Sequence, residues 1–267
     1  MCRISCGMMA LITSGPPGIK PMGGVYAGKA VWLSLPEAWF KQNSEPEEKK
    51  RRFRRFRYHG VDRETIEKKQ ICEELRQLGV RFGITEKSLW EKTFPGWIGL
   101  KVADRTELLR ASALRLTMMA APKGRFELAA VYTDGRINRS TAAVIAALCT
   151  IARTVTVWPR VSDGLLSACY GVADLYVDTA NKAEFHFLLQ RPPAWFAPLP
   201  GAVVLSLCGD FPVLPEGSFT DAIFVPPEKY LLHGFEPSEL AAALNACGFL
   251  RPEQFTVERL CKKRLIN

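Results

Sequence analysis

Histidine is scarce in this chain of 267 residues: His59, His186 and His233 are the three present, far apart. No His-x-x-His pair and no Ser/His/Asp arrangement can be read from them, so neither a histidine metal site nor a triad hydrolase is indicated. Each is read as a surface or internally satisfied histidine. Cysteine is present eight times, as Cys2, Cys6, Cys72, Cys149, Cys169, Cys208, Cys247 and Cys261, but the C-x-x-C spacing is missing. Most of these lie in apolar segments, the pattern of small buried hydrophobes in a reducing compartment. No metal site is expected, and a cytoplasmic location is. No apolar run approaches the roughly 20 residues that cross a bilayer, so no membrane span is expected. The opening "MCRISCGMMALITSG" faintly imitates a signal peptide, but it is short, has one Arg and lacks an A-x-A site. The G-x-G-x-x-G spacing of a dinucleotide loop is absent as well.

Positive charge is there, and it is unevenly placed. Residues 1–123 carry 23 Lys+Arg against 13 Asp+Glu, whereas residues 124–260 carry 10 against 14. Seven of the nine residues from Lys49 to Arg57 are basic, with Phe53, Phe56 and Tyr58 interleaved. Such a segment offers cations to phosphates and rings to bases. The leading reading of Lys49–Arg57 is a solvated basic helix, offset by Glu45, Glu47 and Glu48; an acidic protein or a nucleic acid is the partner the segment would suit. Residues 49–92 as a whole faintly imitate a helix-turn-helix, although the turn is too long and the second helix short.

Residues 1–24 read as a flexible lead-in, because "TSGPPGIKPMGG" is rich in Pro and Gly. Residues 25–123 read as a basic, mainly helical region. Ile71, Leu75 and Leu78 form one apolar stripe, Thr85 caps a short helix with Leu89 and Trp90, and a helix covers 104–120. "APKG" places a boundary near 123. From 124 to 267 strand and helix alternate. Strands are expected at 127–132, 154–158, 174–178, 202–207, 221–225 and 255–260, and helices at 139–152, about 162–171 and 238–247. Short, nearly continuous apolar strands with helices between them imply a sheet covered on both faces. The expected fold class is α/β: a Rossmann-like, mostly parallel sheet in the C-terminal half, preceded by a small, mainly helical basic region.

The stretch "VYTDGRINRSTAAVIAALC" (131–149) reads as a strand, a Gly-containing turn and a helix. A helix N-terminus after a strand can hold a phosphate through its free N–H groups and its dipole. Gly135, Arg136, Asn138, Arg139, Ser140 and Thr141 stand at that position, with Asn138 as the N-cap. Residues 127–207 resemble the Rossmann-type NAD(P)-binding domain of shikimate dehydrogenases and methylenetetrahydrofolate dehydrogenases. "VTVWPR" is similar to the second strand of the first family, and the resemblance implies that Arg160 would accept an NADP 2′-phosphate. "VADLYVDTA" is similar to the strand whose end lines the nicotinamide side, which brings in Thr179. "LPGAVVLSLCGD" looks like the next strand, and Gly135-Arg136 resembles the Gly-Arg turn of the folate enzymes. The resemblance implies NADP as cofactor. The N-terminal half shows no substrate domain of either family, and no catalytic lysine is matched.

Ligands of open α/β sheets lie at the carboxyl ends of the strands. That rule adds Asp134, Asn181 and Cys208, and it nominates Asp178 and Asp210 as acid/base residues. Three functions remain open: an NADP-dependent oxidoreductase with a degenerate phosphate loop, a non-enzymatic regulatory or scaffolding Rossmann-like module, and a nucleic-acid-associated protein using 49–92.

Overall fold

The computed structural model describes residues 8–42, 63–89, 92–93, 96–121, 125–136, 138–159 and 180–263. The protein is a mixed α/β chain with two mostly parallel sheets, and it divides into two units. One unit comprises 1–104 and 226–251, the other 105–225 and 252–267.

The first unit begins with the run Met8–Ser14 (β1). It continues through Gly18–Pro21 (β2), Ala30–Leu35 (β3) and Lys41–Gln42 (β4). Helix Arg63–Gln77 (α1) leads to Val80–Thr85 (β5), Lys92–Thr93 (β6) and Lys101–Val102 (β7). The five-stranded sheet runs β2-β3-β1-β5-β7, and β4 pairs with β6 separately. β1 lies parallel to both β3 and β5. Met9, Ala10, Leu11 and Ile12 are wholly buried. An apolar run with no polar face suits a central strand covered on both faces.

This corrects the sequence reading of the N-terminal part. β1 and β2 occupy the expected lead-in, and a sheet organises the region expected to be mainly helical. Local Pro/Gly content described the bends around β1 and said nothing of its tertiary partners. The helix-turn-helix expectation also fails. α1 forms, with Ile71 and Leu75 buried, but Gly79 in the left-handed conformation (φ +71°) turns the chain into β5. Lys87–Leu89 is a single 3-10 turn.

The second unit opens with Arg105–Ala111 (α2) and Ala113–Ala120 (α3). The helix expected over 104–120 is thus interrupted at Ser112. Next come Phe126–Tyr132 (β8), Arg139–Cys149 (α4) and Ala152–Trp158 (β9). Strands Phe185–Leu188 (β10), Val203–Ser206 (β11), Phe219–Val225 (β12) and Thr256–Lys262 (β13) complete the sheet. Its order is β13-β12-β11-β10-β8-β9, parallel except for β13. Val144, Ile145 and Leu148 of α4 are wholly buried. Arg105 pairs with Asp221 of β12 at 3.1 Å, and Arg115 donates to the Phe255 carbonyl just before β13, tying α2 and α3 to the antiparallel edge of the sheet.

The expected strands at 127–132, 154–158, 202–207, 221–225 and 255–260 and the helices at 139–152 and 238–247 all have counterparts. The expected strand at 174–178 and helix at 162–171 lie outside the described residues. β10 was not anticipated: at four residues, with His186 inside it, "FHFL" gives little pattern to read. The segment 226–251 belongs to the first unit and carries Pro237–Ala246 (α5). The change of unit falls at Asp104/Arg105 rather than at the expected 123, and the chain crosses it twice more.

In each sheet the first parallel strand lies between the second and the third. The first unit runs β3-β1-β5-β7, the second β9-β8-β10-β11-β12. The carboxyl ends of β1 and β5 and those of β8 and β10 are therefore switch points, where connections leave in opposite directions.

Candidate functional site

The turn after β8 is built from short polar side chains that bond to their own backbone. Thr133 Oγ1 accepts the Gly135 N–H at 3.0 Å, and Asp134 Oδ1 accepts the Arg136 N–H at 3.0 Å. Asn138 is the N-cap of α4 as expected: its Oδ1 accepts the Thr141 N–H at 2.9 Å and the Thr141 hydroxyl at 3.2 Å. These are Asx- and ST-type turns, in which the side chain supplies the acceptor an anion would otherwise provide. Gly135 sits at φ +81°, and a Cβ there would come within 3.3 Å of the Pro159 ring. The glycine is required for the fold of the turn itself. Thr133 N–H donates to the Trp158 carbonyl at 2.8 Å, which fixes the turn to the end of β9.

Gly135, Arg136, Asn138, Arg139, Ser140 and Thr141 thus share one strand-to-helix connection. Arg136 and Asn138 are exposed, whereas Thr141 is buried. Arg160, Asp178 and Thr179 lie outside the described residues, as does Lys49–Arg57.

Asp210, nominated as an acid or base, follows β11. Its carboxylate lies 3.6 Å from Lys263 Nζ, and the same ammonium donates to the carbonyls of Phe211, Pro212 and Leu214 at 2.7, 3.2 and 3.0 Å. Four oxygens around one lysine make a clamp that closes the loop after β11. Asn181 is structural too: it bridges the Trp195 carbonyl and the Ala197 N–H.

Beside the turn, the carboxyl end of the sheet is filled by aromatic rings. Tyr132 contacts Trp158, Trp195 and Phe196, with ring centroids 6.5, 6.2 and 5.3 Å away. Its hydroxyl lies 3.2 Å from His186 Nδ1, and both residues are wholly buried. Burial pushes the Tyr132 phenol up and holds the His186 imidazole down, to about 4. His186 is therefore neutral at physiological pH, and its buried Nε2 has no hydrogen-bond partner among the described residues.

Sequence reasoning missed Arg110 of α2. Its Nη2 donates to the Leu189 carbonyl at 3.3 Å, immediately after β10. Its charge also acts on the Cys208 thiol at the end of β11, whose pKa burial raises overall. The pattern of α2 marks Arg110 only as a polar position after the buried Leu108 and Leu109, because its destination is set by tertiary packing.

On the first unit, Arg63 pairs with Glu67, Lys68 with Glu64 and Arg76 with Glu73 along α1. These i,i+3 and i,i+4 pairs are those of a solvated helix. Lys68 also lies over the rings of Trp39 and Trp97, 5.1 and 5.3 Å from their centroids. Among the described residues no group of three or more His, Cys, Asp or Glu is arranged to hold a metal, and no helix is long and apolar enough to cross a membrane. No protein-family model matches the chain, and no curated protein matches it.

Proposed function

We propose that the chain is a Rossmann-like α/β protein acting as a regulatory or scaffolding module, in which residues 131–149 serve as scaffold and hold no dinucleotide. One observation carries this reading. The N–H groups of Gly135, Arg136 and Thr141, which would face a pyrophosphate, already have acceptors in Thr133, Asp134 and Asn138. A phosphate entering here would displace these bonds and meet the Asp134 carboxylate. The electrostatic gain at a helix N-terminus, about 0.3–1 kcal/mol for an exposed anion, does not offset the loss of several hydrogen bonds of about 1 kcal/mol each.

The strand order of the second unit supports the doubly wound character of the scaffold. The engagement of Asp210 by Lys263 weighs against an acid/base role for it, and so against the NADP-dependent oxidoreductase. Ion pairing along α1 weighs against that helix as a nucleic-acid surface.

Calorimetry with NADP and NAD tests the reading. The wild type should give no saturable heat with either nucleotide at millimolar concentration. Asp134→Ala, which removes the competing carboxylate and frees the Arg136 N–H, is the variant in which weak NADP binding should emerge. Saturable NADP binding by the wild type that Arg136→Ala weakens would reinstate the turn as a cofactor site.

A further inference from the structure

One side of α1 borders a cavity in the first unit. Thr65, Lys68, Lys69, Cys72, Glu73 and Arg76 line it, and their spacing of three or four residues places them on one face of the helix. A second wall is Trp97, in the 3-10 turn Gly96–Ile98. Two contacts fix the walls to each other. The Cys72 thiol donates to the Trp97 carbonyl at 3.4 Å, and the Lys68 ammonium lies 5.3 Å from the centroid of the Trp97 ring. The cavity measures about 560 Å³, inside the roughly 300–1,000 Å³ of small-molecule sites.

Its chemistry is aromatic and cationic. Trp97 and Cys72 are half-buried and present a ring and a thiol. Burial holds the Cys72 thiol above its ordinary value, so it stays neutral. The stems of Lys68 and Arg76 extend the apolar surface beneath their charged heads. Three cations line the cavity against the carboxylate of Glu73. Lys68 is paired with Glu64 and Arg76 with Glu73. Lys69 is exposed and has no ion pair among the described residues. One positive charge is therefore left unmatched, at the rim of an accessible cavity.

The geometry points to this cavity as a binding site for a small aromatic monocarboxylate, its ring against Trp97 and its carboxylate on Lys69. Rings pair with an indole in offset or edge-to-face geometry, and the ammonium of Lys69 attracts a single negative charge. Glu73 on the same wall opposes a polyanion, and Lys69 opposes a cation. The site uses no residue of the turn after β8, so it goes beyond the proposed function and is tested apart from it.

Calorimetry of the full chain at low ionic strength tests the assignment with three probes. These are 2-naphthoate, its cationic counterpart 2-naphthylmethylammonium, and acetate, which has the charge without the rings. Only 2-naphthoate should bind saturably at millimolar concentration. An exposed charge pair is worth up to about fivefold in affinity. Lys69→Glu exchanges attraction for repulsion and should weaken 2-naphthoate about tenfold. Glu73→Gln removes a like charge and should tighten it by up to about fivefold. Both side chains are exposed, so neither variant threatens the fold. The assignment is overturned if 2-naphthoate gives no saturable heat with either the wild type or Glu73→Gln. It is equally overturned if Lys69→Glu binds 2-naphthoate as the wild type does, or if either control probe binds as tightly as 2-naphthoate.

Discussion

Lys263 and His186 show how far single residues could be read from sequence. Asp210 was legible as an acidic residue after a strand, but its partner lies 53 positions away and no local pattern announces it. The clamp distributes its bonding unequally. Three carbonyls accept from Lys263, whose side chain is 14% exposed, while the Asp210 carboxylate is farther off and 40% exposed. Lys263→Ala should therefore cost about 1–3 kcal/mol, because it leaves carbonyls without their donor. Asp210→Asn should cost less than about 1 kcal/mol. Urea unfolding of both variants checks this, and an equal loss would show that the ion pair dominates. His186 gives a pH dependence. Its folded pKa of about 4 lies below the ordinary 6.5. Between these values the unfolded chain binds a proton that the folded chain refuses. Its contribution is thus fully present above about pH 6.5 and is lost as pH falls towards about 4. At about 1.4 kcal/mol per pH unit the loss is on the order of 3 kcal/mol. Urea unfolding from pH 7 to 4 should show a shallower slope in His186→Asn than in the wild type; parallel slopes would mean that His186 is not buried neutral.

The elements most legible in the sequence were those whose burial pattern and chemistry agree. α4 is the clearest, with Asn138 as N-cap and an apolar run after it, and its Leu148 is wholly buried. Leu148→Ala should cost about 2–5 kcal/mol, measured by denaturant unfolding; a loss below about 0.5 kcal/mol would place that face of the helix in solvent. β5 and β10 were illegible for different reasons. The sequence "VRFGIT" of β5 holds the β-formers Val80, Phe82, Ile84 and Thr85, but it is short, contains a glycine and stands between a real helix and a Thr85 read as a helix cap; its strand state is fixed by pairing with β1 and β7. β10 is too short for any period to show, and its strand state follows from parallel partners on both sides, β8 and β11. The break at Ser112 likewise leaves no helix-breaking residue in the sequence. Within the candidate site, the N-cap and the special glycine were readable. The consumption of the amides by Thr133 and Asp134 was not, since it depends on the path of the turn.

Both units place their first parallel strand centrally, so the chain uses one arrangement of strands twice. Composition hid this, because the charge difference between the halves suggested two unlike regions. Charge reports on surfaces and partners, whereas strand order depends on which apolar runs find one another. The chain also crosses between units after Asp104, Val225 and Arg251. Removing residues 226–267 would therefore take α5 from the first unit and β13 from the second. Thermal unfolding followed by circular dichroism should show cooperativity lost in both units; one sharp transition surviving would mean that the returning segments are dispensable. For the role of the whole molecule, the measurement that bears most directly is an amide NMR titration of the full chain with NADP, following Gly135, Arg136 and Thr141. If the turn is closed by Thr133, Asp134 and Asn138, these amides stay unshifted up to millimolar NADP. Saturable shifts at all three would contradict the account and make the turn a nucleotide site.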